Sequence, residues 1–416
     1  MSDSWSQRLS GVFSLQLTPE LIDWFDSEKW RESYSLEFGE PVLPENLLDQ
    51  GSAEIWGGLM LPDTLPILGN GFGDDIAVRF NSDGSVREFI RWLHETCEWT
   101  PAGQSLSQVI LFDSARRLLE RSSDEDINLS SKNILKWAIR WSGLNSEEKL
   151  HLESMFFSHQ TFNLIDLLQP GFPEISVRKN LAEKNLETRL LALAREYGGD
   201  SIAKKIGVNW KEFEPWLYVP ETIPSIHLTK LTQLLGLSEE NLKHQDWASA
   251  IQHAEYVSQH RSDLGWPFAV MGQAAERKGD FETAAEIYSV GIRALGNTYD
   301  FTEPWREYGR GPSKYCAQRL QYIEQFLKVP VRKDEYMLAA LDSNFNKVID
   351  YWRKTATIAE EAGKYHEAYN YWYLAGWDHH VFDYMVEILD GLVRVSEQAG
   401  FRPFLKLAEH HRKSLS

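Results

Sequence analysis

Only two cysteines occur in 416 residues, Cys97 and Cys316, and they lie far apart. Neither a disulfide framework nor a thiolate metal site is expected from them. Long apolar runs are missing too: none approaches the ~18 residues that a membrane span requires. The opening residues, Met1 to Glu20, carry no charged stretch followed by a long apolar core, so no signal peptide is expected. These absences point to a cytoplasmic protein. Positive charge is also scarce, with 43 Lys and Arg against 61 Asp and Glu, a net charge of −18. The shortage is uneven. Residues 1–112 hold 18 acids and 6 bases, a balance of −12 that leaves −6 for the rest. Such a surface repels nucleic acid and speeds encounter with a basic partner.

Catalytic signatures are absent as well. There is no H-E-x-x-H, Walker loop, G-x-S-x-G or kinase set. His94, His151, His159, His379-His380 and His410-His411 have no cysteine or carboxylate at ligand spacing, so no metal site is expected. Gly69-x-Gly71-x-Gly73 suggests a dinucleotide loop, but that loop needs a helix directly after it. Asp74, Asp75 and an alternating run follow instead, and two carboxylates would repel a phosphate. Adjacent strand residues point to opposite faces, so Asp74 and Asp75 are poorly placed to share a substrate. No cofactor and no catalytic residue is expected. His94, between Trp92 and Trp99, reads as a packed aromatic.

What is present centres on Leu65 to Trp99. Leu65-Pro66-Ile67-Leu68 runs into the glycine turn and its two acids. Ile76, Val78 and Phe80 then alternate with Ala77 and Arg79, the period of a half-buried strand. Asn81-Ser82-Asp83-Gly84 is turn chemistry, and Val86 and Phe89 resume the apolar pattern. These residues resemble the SUKH superfamily, whose members include bacterial immunity proteins against secreted toxins and a fungal regulator of cell-wall synthesis. The resemblance rests on the apolar run into Asn70-Gly71-x-Gly73-Asp74, the strand after it, Gly84-x-Val86, and the cluster Trp92, His94, Trp99. Trp56-Gly57-Gly58 and Ser105-Leu106-x-x-Val109-Ile110 fit the same pattern. It spans roughly residues 35 to 112. It implies a non-catalytic immunity-type protein that covers the basic cleft of a toxin, such as a nuclease, with an acidic face. Asp74, Asp75, Asp83, Glu88 and Trp56 are the candidate contacts.

The rest of the chain reads as helical. Thr18-Pro19-Glu20 opens one helix with an N-cap and an N1 proline, and 104–121 reads as another. Ile134, Trp137, Ala138 and Trp141 form a further apolar stripe, and Val177 to Tyr197 reads as a helix ended by Gly198-Gly199. Residues 188–246 resemble a lambda-repressor-like helix-turn-helix domain, with Asp200 to Val208 as its first helix and turn. The reading helix would hold Glu212, Glu214 and Pro215. Carboxylates oppose DNA, and the proline is expected to break the helix. After Trp266 the pattern resembles tetratricopeptide repeats. Gly272, Ala275, Gly279-Asp280-Phe281, Ala284 and Tyr288 match one repeat; Trp352, Ala356, Gly363-Lys364-Tyr365, Ala368 and Trp372 match a second. The expected architecture is an α+β domain with a SUKH-like sheet over 1–125 and an all-α, tetratricopeptide-like C-terminal region. Within the latter come a helical connector (126–187), a helix-turn-helix-like module (188–246) and an irregular α-solenoid (247–416). A fragment of residues 1–125 is expected to fold alone. Other readings are a regulatory scaffold whose repeats hold a peptide or protein, and a transcriptional regulator.

Overall fold

The computed structural model describes residues 3–31, 38–49, 60–94, 98–120, 129–158, 199–218, 222–234, 265–294, 313–342, 344–376 and 384–414, and 251–259 in part. It divides into two compact units. One takes Met1–Pro173, Trp352–Gly376 and Val381–Ser416; the other takes Glu174–Tyr351 and Trp377–His380.

The first unit is built on an antiparallel sheet of β1 (Glu40–Pro41), β2 (Thr64–Gly69), β3 (Asp75–Phe80), β4 (Val86–Leu93) and β5 (Glu98–Gly103), in that spatial order. Each strand pairs with its sequence neighbour, so short turns suffice to join the central ones. The sheet is α+β company for helices α1 (Trp5–Phe13), α2 (Pro19–Asp26), α3 (Pro44–Leu48), α4 (Leu106–Glu120), α5 (Leu129–Trp141) and α6 (Ser146–Ser158). Ser4 and Gln7 form a capping box on α1, and Thr18 caps α2 ahead of Pro19. Trp24, Trp30, Trp92, Phe13, Phe25, Phe80 and Phe89 are fully buried in the core.

Helix α2 spends three carboxylates on three other helices. Glu20 accepts the Leu106 and Ser107 amides at 3.2 and 2.6 Å, at the start of α4. Asp23 accepts from the indoles of Trp137 and Trp141 on α5, at 2.8 and 2.9 Å, and from the Arg140 guanidinium. Asp26 accepts the Ser6 amide and hydroxyl at 2.9 and 2.7 Å, in the first turn of α1. Glu20 is thereby withdrawn from the surface, while Asp23 stays half-buried and Asp26 exposed.

The C-terminal helices belong to this same unit. After Tyr351, helix α14 (Phe345–Glu361) continues into it, followed by α15 (Tyr365–Ala375), α16 (Met385–Ala399) and α17 (Arg402–Ser414). Gly391 lets α16 approach the Trp372 indole: a Cβ there would sit 2.5 Å from Cδ2. The Phe13 ring meets His410 at 4.6 Å, and Gly84 sits against Ser14 and Pro403. The division expected after residue 125, and the assignment of all of 247–416 to a separate solenoid, therefore do not match the compact units. Helix α5, expected in a connector, is clamped to α2.

The second unit holds α7 (Gly199–Ile206), α8 (Trp210–Tyr218), α9 (Ser225–Leu234), α10 (Trp266–Arg277), α11 (Phe281–Gly291), α12 (Lys314–Ile323), α13 (Glu335–Leu341) and the start of α14. Gly207, at φ 85°, turns the chain between α7 and α8, and Asn209 caps α8 through the Glu212 amide. Helix α8 runs through Pro215, contrary to the break expected there. Phe213 and Trp216 are buried on either side of the proline, and their packing holds a short helix whose propensity is poor. Helices α10 and α11 meet closely where Gly272 faces the Tyr288 ring. Beneath them Gln273, Glu276, Tyr288, Tyr315 and Arg319 form a buried hydrogen-bonded network. The helix Val177–Tyr197 lies outside the described residues.

Candidate functional site

The site begins where β2 hands the chain to β3. Asn70 forms an Asx turn: its Oδ1 accepts the Phe72 and Asp74 amides at 2.9 and 3.1 Å. Its Nδ2 donates to Asp74 Oδ2 at 3.0 Å. Asp74 Oδ1 accepts both the His94 amide and His94 Nδ1–H, each at 3.0 Å. One carboxylate therefore ties the turn to the end of β4 and sets the tautomer of His94. Gly71 and Gly73 take φ of 74° and 96°. A Cβ at Gly71 would lie 2.7 Å from Glu40 Oε1, and one at Gly73 would touch the His94 ring at 3.0 Å. The positive φ favours glycine at both positions, and at Gly73 the His94 ring adds a close neighbour. The turn leads into a strand, so no helix N-terminus is present to receive a pyrophosphate.

Phe72 stands at the tip of this turn, 80% exposed. Asp75 opens β3, half-buried, opposite Trp92 and Gly69. Burial, and then the neighbouring charge of Asp74, push its carboxyl up to about 8. Asp75 is thus held protonated near neutral pH.

Along the same strand a second polar group lies deeper. Arg79, 4% exposed, donates from Nε and Nη2 to Asp63 Oδ2 at 3.1 and 2.8 Å, and from Nη1 to Glu88 Oε1 at 3.0 Å. Its Nη2 also reaches the Tyr373 hydroxyl at 3.2 Å, and its guanidinium lies 4.7 Å from the Trp99 ring centre. Burial would lower the Arg79 pKa, but Asp63, Tyr373 and Glu88 outweigh it and keep the cation charged. The Tyr369 hydroxyl is driven well up by burial and by Asp63. This group fastens β3, β4 and α15 together.

The expected contacts fare unequally. Asp74 lies at the turn as an internal acceptor. Glu88, 9% exposed, is buried against Arg79 rather than offered to a partner. Asp75 is half-buried. Asp83 is exposed and accepts from the Ser85 amide and hydroxyl at 2.9 and 2.6 Å. It sits past the far end of β3, roughly 17 Å along the strand from Asp75 at the usual rise. The structure does not gather these acids into one face. Trp56 lies outside the described residues. His94 is not a packed aromatic: its side chain is 41% exposed and paired with Asp74. Sequence reading overlooked Phe72 and Glu40. The signal was there, since an aromatic between two glycines in a polar turn has no core to join.

Comparison with protein-family models, curated proteins and solved structures gives no match for this chain. Among the described residues no helix is long and apolar enough to cross a membrane, and no group of three or more His, Cys, Asp or Glu could hold a metal ion.

Proposed function

We propose that this chain is a non-catalytic protein-binding protein whose acidic N-terminal stretch meets a basic partner. Following the SUKH resemblance, the fitting partner is a toxin that this protein neutralises. The observation that carries the reading is how the acids of residues 1–112 divide. Glu20, Asp63 and Glu88 are buried against internal partners, and Asp23 and Asp26, though reached by solvent, are held by α5 and α1. Glu40, Glu45, Asp49 and Asp83 are exposed. Exposed like charge steers encounter with the opposite sign.

The test uses the full chain and a basic protein encoded beside it, with affinity measured from low to high salt. Neutralising Glu40, Glu45, Asp49 and Asp83 together is expected to weaken binding more than tenfold at low salt, mostly through the association rate. Binding that ignores both salt and these four acids would overturn the reading. A second reading, a scaffold whose helical pairs hold a peptide, draws on the exposed Val290, Phe326, Val329 and Leu338 of the second unit. There the four neutralised acids would leave binding unchanged, while Phe326→Ala with Val329→Ala would weaken it.

A further inference from the structure

We infer that Phe72 is the anchor residue of the N-terminal binding surface, and that its partner is a basic protein with an apolar pocket that takes a phenyl ring. This rests on the reading of an acidic surface that meets a basic protein, and adds to it the residue that carries the affinity.

Single exposed apolar side chains are ordinary on protein surfaces. Phe72 is set apart by what holds it. The turn uses only its main-chain amide, which Asn70 Oδ1 accepts at 2.9 Å. Any residue would serve that bond, so the ring is surplus to the turn. Around it the backbone is fixed by Asn70, Asp74 and the closing bond from the Asn70 amide to the Asp74 carbonyl at 3.1 Å. The two flanking glycines hold positive φ, with the Glu40 carboxylate beside Gly71 and the His94 ring beside Gly73. A ring on so constrained a turn loses little backbone freedom on docking, which lowers the cost of binding. Large aromatics seated in pockets dominate interface energetics, while the surrounding rim contributes less.

The chemistry of the pocket follows from the surroundings. Glu40 is exposed beside Gly71, and the half-exposed His94, paired with Asp74, adjoins Gly73. A pocket for Phe72 must therefore be apolar at its floor and carry Lys or Arg at its rim, facing Glu40. An acidic rim would be repelled.

The experiment places a photo-crosslinking phenylalanine analogue at position 72, or at position 83 as a control, in the full chain inside the cells that produce it. Each captured protein is identified, purified and titrated against wild type, Phe72→Ala and Phe72→Leu. The expected result is a protein of net positive charge, captured from position 72 and not from 83. Its affinity should fall at least tenfold for Phe72→Ala and be largely kept by Phe72→Leu. Equal melting temperatures for wild type and Phe72→Ala would show that the turn itself is intact. A basic partner that binds Phe72→Ala within twofold of wild type overturns the anchor and leaves the acidic-surface reading standing. An acidic or neutral partner that depends on Phe72 but not on salt overturns that reading. No capture from either position overturns both.

Discussion

At the scale of residues, the carboxylates of the N-terminal stretch do different work although the sequence presents them alike. Asp75 sits beside Asp74 in a half-buried place, so its carboxyl is raised from the ordinary range to about 8. A raised carboxyl favours folding fully below the unfolded value near 3.8, and that contribution is lost as pH rises toward 8. Asp75→Asn removes the penalty. Its melting temperature should match wild type near pH 4 and exceed it increasingly up to pH 8, a tenfold change in proton affinity corresponding to about 1.4 kcal/mol. A gap that stays constant with pH would show that Asp75 is not the titrating group. Asp74 is the opposite case. Asp74→Ala removes the acceptor of the His94 amide and Asn70 Nδ2, groups that water can reach, and should cost roughly 0.5–1.5 kcal/mol. Changing both acids at once therefore mixes a gain with a loss, and says little about recognition unless stability is measured alongside. Arg79 is where sequence reading went furthest astray. In the run Ile76 to Phe80 it occupies an alternate position, where a half-buried strand would point it to water. Yet Ala77 and Arg79 are as buried as Ile76 and Val78. The reason lies far away in the chain: Tyr373, which shares the guanidinium, is 294 residues on. Arg79→Met strands Asp63 as a buried, uncompensated charge and leaves Glu88 only Arg87, at 3.5 Å. It should cost about 3–5 kcal/mol in denaturant unfolding, whereas a loss below about 1 kcal/mol would mean that the cluster is open to water.

At the scale of elements, local chemistry was legible and its long-range partners were not. Thr18-Pro19 marked the start of α2, and Gly279 and Gly363, noted in the sequence only as repeat positions, stand at turns between helices. Each of those turns carries the same pair of closing bonds, Gly279 to Glu276 with Asp280 to Ala275, and Gly363 to Glu360 with Lys364 to Ala359. Those bonds need only the local chain, so a single sequence can display them. The three acids of α2 show the limit. Glu20, Asp23 and Asp26 recur at helical spacing and would pass for a solvated face, because nothing nearby names the amides and indoles they serve. Asp23 is the clearest of the three. Burial raises its carboxyl, but the hydrogen bonds from Trp141, Trp137 and Arg140 outweigh that and hold it low. Asp23→Ala leaves two indole N–H groups without their acceptor and should cost roughly 1–3 kcal/mol. Because those indoles also report on their surroundings, tryptophan emission should shift to the red as α5 loosens from α2. Unchanged emission with unchanged melting would show that α5 packs without this clamp.

At the scale of the molecule, the first unit is discontinuous in sequence, and this decides how the chain can be divided. The drop in negative charge beyond residue 112 and the helical patterning after it pointed to a domain of residues 1–125. Composition can mark a change of surface, but it cannot show which segments share a core. Several interactions of that core lie beyond residue 125. Trp137 packs on Trp24 at 5.3 Å between ring centres. Tyr373 completes the donors and acceptors around Arg79. Pro403 lies against the β3–β4 turn at Gly84, and His410 against Phe13. A fragment ending at residue 125 would open these contacts to water and leave Asp23 without its three donors. It should therefore give a poorly dispersed NMR spectrum and melt without a cooperative transition, while the full chain melts cooperatively. Restoring α5 and α6 with residues 126–158 would return the clamp on Asp23 but not the C-terminal helices, so that longer fragment should still bind a hydrophobic dye that the full chain excludes. Adding residues 352–416 as a separate chain should then suppress dye binding and restore dispersion. A well-dispersed spectrum from residues 1–125 alone would show that the sheet and its first helices close a core without the C-terminal helices. The contacts at Arg79, Gly84 and Phe13 would then be docking contacts on a finished domain.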